Sequence, residues 1–394
     1  MNGWRWVRLD WVATEIRDTV AVEGIGSDTV FHYSIPVLDE TGDGQVEPVE
    51  DIGSNKTRLS GGEVLISKLN PRIARVVVAE PHDMPTVCSG EFVILRPQNI
   101  DARFLFWLLL SETTRQALGS QVQSVTRSQQ RARPDDVTKM WIRVPSLGDQ
   151  RGIADYLDAE TSAMDNLLGK KRRLVDLLQE RIDSAIMALV GQSALVDGDG
   201  GLRAMPVRRR LAKLDRPAEP DAHVVTAFRD GQVTARFLRR SEGFTESWTE
   251  GARLQGVSRD DVVVHGLDGF AGAIGTAEVD GVCSPVYHVC SPIDGGDAQF
   301  YGRMLRLLAT TGYLGNFATS TRERAVDFRN WDLFGRIPIP VVEAAEQRQI
   351  GDRIRRLAPI RARVALSETR INERKHALIT AAVTGQLGIP GVAA

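Results

Sequence analysis

The side chains best suited to act on another molecule lie in Thr126–Arg133, TRSQQRAR. Arg127, Arg131 and Arg133 stand there with Gln129 and Gln130, and no acid interrupts them. A guanidinium fork grips a phosphate or the O6/N7 edge of guanine, and a glutamine amide bridges N6 and N7 of adenine. That chemistry is reversible hydrogen bonding, in which no covalent bond is made or broken. Lys68, Asn70, Arg72 and Arg75, around the Asn70-Pro71 turn, form a second set of the same kind. In the later half of the chain the matching choices are Arg322, Arg324 and Arg329, with His265 beside them.

Nothing else in the chain has the spacing of a reaction centre. The six histidines are scattered without metal-ligand spacing, and no pair of carboxylates is singled out for acid–base work. Cys88, Cys283 and Cys290 are odd in number and form no CxxC pair, so zinc knuckles and a disulfide framework are not expected. Buried, inert thiols are the expectation instead. A net charge of −2 and a pI near 6.4 exclude an indiscriminate polyanion binder, so any nucleic-acid contact must be local. The sequence has no early apolar h-region and no uncharged apolar run of about 18 residues, which points to a cytoplasmic protein.

The elements that position these loops are legible because the chain repeats itself. DQRGIADYLDAETSAMDNLLGKK and its close QERIDSAIMALVGQ return as EQRQIGDRIRRLAPIRARV and NERKHALITAAVTGQL. Gln150 and Gln347 lie 197 residues apart, and Ile186 and Ile379 lie 193 apart. The globular parts repeat as well. Glu63-Val64 matches Asp261-Val262, Cys88-Ser89 matches Cys283-Ser284, Asp101-Ala102 matches Asp297-Ala298, and Thr126-Arg127 matches Thr321-Arg322. A period this long means duplicated domains.

Each copy begins with strands. Trp4–Leu9 alternates apolar and polar residues, and Val64–Ile66 and Arg75–Ala79 flank the Asn70-Pro71 turn. Cys88–Pro97 and Trp141–Pro145 add further strands, while DETGDGQVEPVEDIGSNK reads as a polar loop. Asp101 is expected to cap an apolar helix that stops near Gly119. The arm of each copy is expected to break into a short helix and a long one, at Thr161-Ser162 and at Pro359. Leu357, Val364, Ile371 and Leu378 recur every seven residues, as a coiled-coil seam does, and Met164, Leu167, Leu174, Leu178, Ile186 and Leu189 make the other seam.

With these phrases in hand, the chain resembles the specificity subunit of type I restriction-modification systems over essentially its full length. The carriers are GGEVLISKLNPRIARVVVAE with CSGEFVILRP, the arm opening DQRGIADYLDAE, and the terminal ERKHALITAAVTGQL. The second half departs where HGLDGFAGAIG replaces SKLNPRIARVV. The resemblance implies an α+β fold with two tandem strand-rich target-recognition domains, separated by long helices that pair as an antiparallel coiled coil with pseudo-two-fold symmetry. The expected boundaries are 1–147 for the first domain, 148–191 for the first helical region and 192–205 for a linker. The second domain, helical region and tail follow at 206–342, 343–386 and 387–394. The implied job is to read a bipartite, asymmetric site in double-stranded DNA, one half-site per domain. Two adenine methyltransferase subunits would dock on the chain and carry AdoMet, and a motor-nuclease would bring ATP. This chain itself would hold no cofactor and no catalytic residue.

A different class of reading makes the chain a DNA methyltransferase in its own right. Asp268–Gly275, DGFAGAIG, resembles the glycine-rich AdoMet loop of such enzymes. Against it, the repeat aligns this segment with an ordinary strand pair of the first half. The chain also lacks an Asn/Asp-Pro-Pro-aromatic motif and a Pro-Cys dipeptide. A coiled-coil scaffold that never touches DNA would leave both strand-rich domains without a use.

Overall fold

The computed structural model describes residues 3–120, 130–193, 204–219, 221–239, 253–293, 295–317 and 327–392. The chain divides into two compact units, one of Met1–Gly169 with Leu366–Ala394 and the other of Lys170–Ala365. The division falls inside the helical arms, so each unit combines one strand-rich domain with parts of both arms.

In the first unit, strands Arg5–Arg8 and Trp141–Val144 pair antiparallel, with Trp6 opposite Arg143 and Arg8 opposite Trp141. A four-stranded antiparallel sheet runs in the order 13–16, 92–97, 64–67, 76–78. A second sheet of five strands runs 19–20, 56–59, 86–89, 29–33, 45–48. Asp101 caps helix Ala102–Leu110 by accepting from the N–H groups of Arg103 and Phe104 at 3.0 and 3.1 Å. The helix drives Phe104, Leu105 and Leu109 into a core with Leu9, Val64 and Leu95. Ile153, Ala154 and Leu157 of one arm and Ile379, Ala382 and Val383 of the other complete that core. The two arm segments run in opposite directions here, since Lys375 reaches Asp165 at 2.6 Å while residues 379–383 share the core with 153–157.

The second unit rebuilds the same frame. Strands Ala204–Pro206 and Pro338–Pro340 pair antiparallel, and a four-stranded sheet runs 211–213, 287–292, 262–265, 274–276. Asp297 caps helix Ala298–Thr310. Phe300, Met304 and Leu305 pack with Leu211, Val262 and Val264, and Ile182, Ile186, Ile350 and Leu357 of the arms close this core. The five-stranded sheet has no counterpart among the described residues. Two short pairs, 225–227 with 233–235 and 255–257 with 281–283, are found instead.

Several expectations need correction. The arms do not break: one helix runs Leu147–Ser193 and the other Ala344–Val383, with Pro359 inside it. The Thr161 hydroxyl donates back to the Leu157 carbonyl at 2.7 Å, so it serves a continuing helix and caps no new one. An interior proline costs about 3 kcal/mol. Burial of Ile350 and Leu357 on the preceding turns offsets that cost. Of the expected seam on the first arm, Ile186 is buried but Leu167 and Leu174 are exposed, and Leu168 and Ile182 are buried in their stead. The segment expected to be a polar loop contributes strand Gln45–Pro48 and the first residue of strand Lys56–Leu59. Cys88–Pro97 is two strands, Thr86–Ser89 and Phe92–Pro97. The helix expected to stop near Gly119 is two helices meeting at Ser111. All three cysteines are buried, and burial pushes each thiol up to about 12.

Candidate nucleic-acid interface

In the first unit the loop between strands Val64–Ser67 and Val76–Val78 carries Lys68, Asn70, Arg72 and Arg75. Asn70 sits at φ 50°, a left-handed conformation that asparagine tolerates better than most residues. The chain after residue 129 returns to this loop. Ala132 N–H donates to the Lys68 carbonyl at 2.9 Å and Asn70 N–H to the Gln130 carbonyl at 2.7 Å, with a bridge between Leu69 and Arg131. The structure therefore brings the two sets of candidates together, at least as far as Gln130, Arg131 and Arg133. Arg127 and Gln129 lie outside the described residues.

The acids missing from the local sequence arrive from elsewhere. Arg75 is held bidentate by Asp39 at 2.5 and 2.8 Å, Arg131 by Glu91 at 2.9 Å, and Arg133 by Asp136 at 2.8 Å. The hydrogen bond from Arg133 holds the Asp136 carboxyl below its ordinary range. Lys68 and Arg72 have no ion pair among the described residues, and Arg72 is exposed. These two are the cations of the loop available to another molecule.

The second unit repeats two of the junction's backbone bonds. The turn between strands Val262–His265 and Ile274–Thr276 receives Phe328, whose N–H donates to the Gly266 carbonyl at 2.8 Å. Gly266 N–H donates to the Val286 carbonyl at 2.9 Å, as Lys68 N–H does to Glu91 at 2.8 Å. A side chain at Gly266 would strike the Val286 carbonyl and Arg329. His265 is not free to reach outward through Nδ1, which accepts from the N–H groups of Leu267 and Asp268 at 3.1 and 2.9 Å. Its ring packs edge-on against Tyr287, and desolvation lowers its pKa. Arg329 is tied to Asp327, with contacts of 2.6 to 3.0 Å. Arg322 and Arg324 lie outside the described residues. Leu267 and Phe270 are large and exposed on this turn, 44% and 38%. Sequence reasoning passed over them because it looked for polar groups only.

The glycines of DGFAGAIG serve the protein's own packing. A Cβ at Gly272, φ 95°, would lie 2.6 Å from the Arg229 carbonyl, and one at Gly275 would collide with the carbonyl of Gly231. Their close approach is to chain 229–231. Among the described residues no group of three or more His, Cys, Asp or Glu is arranged to hold a metal ion, and no helix is long and apolar enough to cross a membrane.

The frame behind each junction is also shared. Gln150 accepts from Asp101 N–H at 2.8 Å and donates to the Pro145 carbonyl at 3.0 Å. Gln347 does the same to Asp297 and Val342 at 3.1 and 2.7 Å. Both amides are buried. Glu63 and Asp261 are buried carboxylates that accept turn N–H groups and pair with Arg96 and Arg216.

No family model matches the chain, and no curated protein sequence matches it. Solved structures do. One, from work on the structural basis of complex assembly and conformational transition of the type I restriction-modification system, is 17% identical with a TM-score of 0.64. The alignment covers 98% of this chain and 99% of that one. The HsdS subunit of Thermoanaerobacter tengcongensis (16% identity, 98% of each chain, TM-score 0.44) also matches. So does the type I S subunit of M. genitalium (12% identity, 97% and 96% covered, TM-score 0.47). The chain has the fold of the first: strand-rich α+β domains carried on two long helices.

Proposed function

We propose that this chain is the specificity subunit of a type I restriction-modification complex. Each domain reads one half of a bipartite, asymmetric DNA site, and the chain docks two adenine methyltransferase subunits that hold AdoMet. A motor-nuclease joins for restriction. The observation that carries this reading is the doubled junction: one backbone frame, built twice, presenting different side chains. Two readers of two different half-sites need that arrangement. The full-length likeness to a chain of a type I assembly supports it, and so do the sequence phrases at the arm openings and at the second arm's end.

On this reading the chain contributes binding alone. Lys68 and Arg72 in the first domain supply cations for phosphate or guanine. Arg127, Gln129, Gln130 and Arg131, and in the second domain Arg322, Arg324 and Arg329, stay as candidates beside them. Arg75 and His265 act by holding their loops. The test is to map adenine methylation in cells with and without the chain. A bipartite motif that disappears with the chain is the expected result. Arg72→Ala should then weaken or relax one half-site only, by roughly 1–3 kcal/mol if the contact is to a base. AdoMet binding by the purified chain, lost on Gly272→Val, would return the methyltransferase reading.

A further inference from the structure

The turn of the second domain exposes two large apolar side chains, Leu267 and Phe270, where loops ordinarily carry polar ones. The turn is stiff. His265 Nδ1 accepts two of its N–H groups, Asp268 is paired with Arg229 at 2.9 Å, and Gly272 closes it at φ 95°. Phe270 therefore stays partly in water, because the chain is held too firmly to fold it away. Its counterpart in the first domain, 198 positions earlier, is Arg72. At the same point of the same frame, one domain presents a cation and the other an aromatic ring.

In the major groove these two side chains read different things. Arginine pairs with guanine, whereas an apolar group recognises the C5 methyl of thymine. Resting on the reading that these turns face DNA, we propose that Phe270 and Leu267 are specificity-determining residues that select thymine through its methyl group. The half-site of the second domain then contains at least one thymine under this turn. Arg72 makes the corresponding selection in the first half-site through hydrogen bonds.

Uracil tests this directly, because it keeps every hydrogen-bonding group of thymine and lacks only the methyl. The full chain, assembled with its methyltransferase subunits, is titrated with target duplexes in which each thymine of one half-site in turn is replaced by uracil. Burial of one methyl is worth about 0.8 kcal/mol, so one position in the second domain's half-site should lose about fourfold in affinity. Phe270→Ala and, separately, Leu267→Ala should weaken binding to thymine DNA and shrink the thymine–uracil difference at that position. A half-site without thymine, or a uracil effect that survives both substitutions, overturns the proposal. If Phe270→Ala weakens binding but no uracil matters, the turn touches DNA without reading the methyl; the proposal fails and the recognition reading stands. If neither substitution nor uracil has any effect while the chain still confers half-site binding, the turn does not face DNA. If the assembled chain shows no half-site preference at all, the recognition reading itself fails.

Discussion

The two units share their interior and differ at their surface. The matching residues Asp101 and Asp297, Gln150 and Gln347, Glu63 and Asp261, Phe104 and Phe300 make the same contacts in both. Outside that frame little is kept. The first unit has a five-stranded sheet where the second has two short strand pairs. Trp6, Trp11 and Trp141 are exposed on the first, at positions taken by Ala204, Arg209 and Pro338 on the second. The difference teaches that a buried carboxylate, an amide clamp and a capped apolar helix suffice to hold the frame. The strands and turns hung on it are then free to change with whatever each unit contacts.

The comparison breaks most readily in the core. Phe104→Ala and Phe300→Ala each empty a fully buried ring site and should cost about 3–5 kcal/mol apiece. Urea unfolding of both variants measures this, and a marked loss in only one would mean that the two cores are not equivalent. Next come the clamps. Gln150→Ala and Gln347→Ala leave a buried N–H and a buried carbonyl unpaired, at about 1–3 kcal/mol each. Matching shifts in the urea midpoint would sharpen the symmetry.

A third test uses a core position that differs. Val93 in the first unit is matched by His288 in the second, fully buried, with Nε2 2.6 Å from the Phe328 carbonyl. Desolvation lowers the His288 pKa below the ordinary value of about 6.5. The fold therefore favours the neutral ring. Its contribution is complete above about pH 6.5 and is lost as pH falls through the lower, folded value. His288→Val should flatten the acid side of a stability–pH profile, and an unchanged profile would assign the acid loss to other groups. The smallest effect concerns ion pairs. Lys375–Asp165 in the first unit is partly exposed, and Lys375→Ala should cost about 0.2–1 kcal/mol. Arg303–Asp183 in the second is bidentate and less exposed, so Arg303→Ala should cost more than Lys375→Ala in the same assay.

What was legible in the sequence follows the same division. The repeat offsets located the frame, and the Asp101 cap and the terminal strand Trp141–Pro145 followed from residue type and spacing. Strand Gln45–Pro48 was missed because turn formers dominate that stretch, and pairing with a distant strand overrides local preference. The arms read as broken because Pro359 and Thr161-Ser162 are stop or cap signals locally, yet both helices run through them. At the candidate site, the loops were found but their free charges were overcounted. Asp39 and Glu91 are remote in sequence from Arg75 and Arg131, and no local pattern announces them, whereas Asp136 follows Arg133 by one helical turn.

The first unit is assembled from residues at both extremes of the numbering, and this sets a schedule for its synthesis. Its strands, its capped helix and the opening of the first arm have all been made by residue 169, yet Ile379, Ala382, Val383 and Ile389 belong to the same core. A ribosome adding roughly 5–20 residues per second needs on the order of 10–40 s to make the intervening two hundred or so. During that interval the apolar face around Phe104, Leu105 and Ile153 has no closing helix. The nascent chain must shield that face for as long as the second unit takes to emerge. Slow translation across 170–365 would therefore burden the domain already made more than the one in progress.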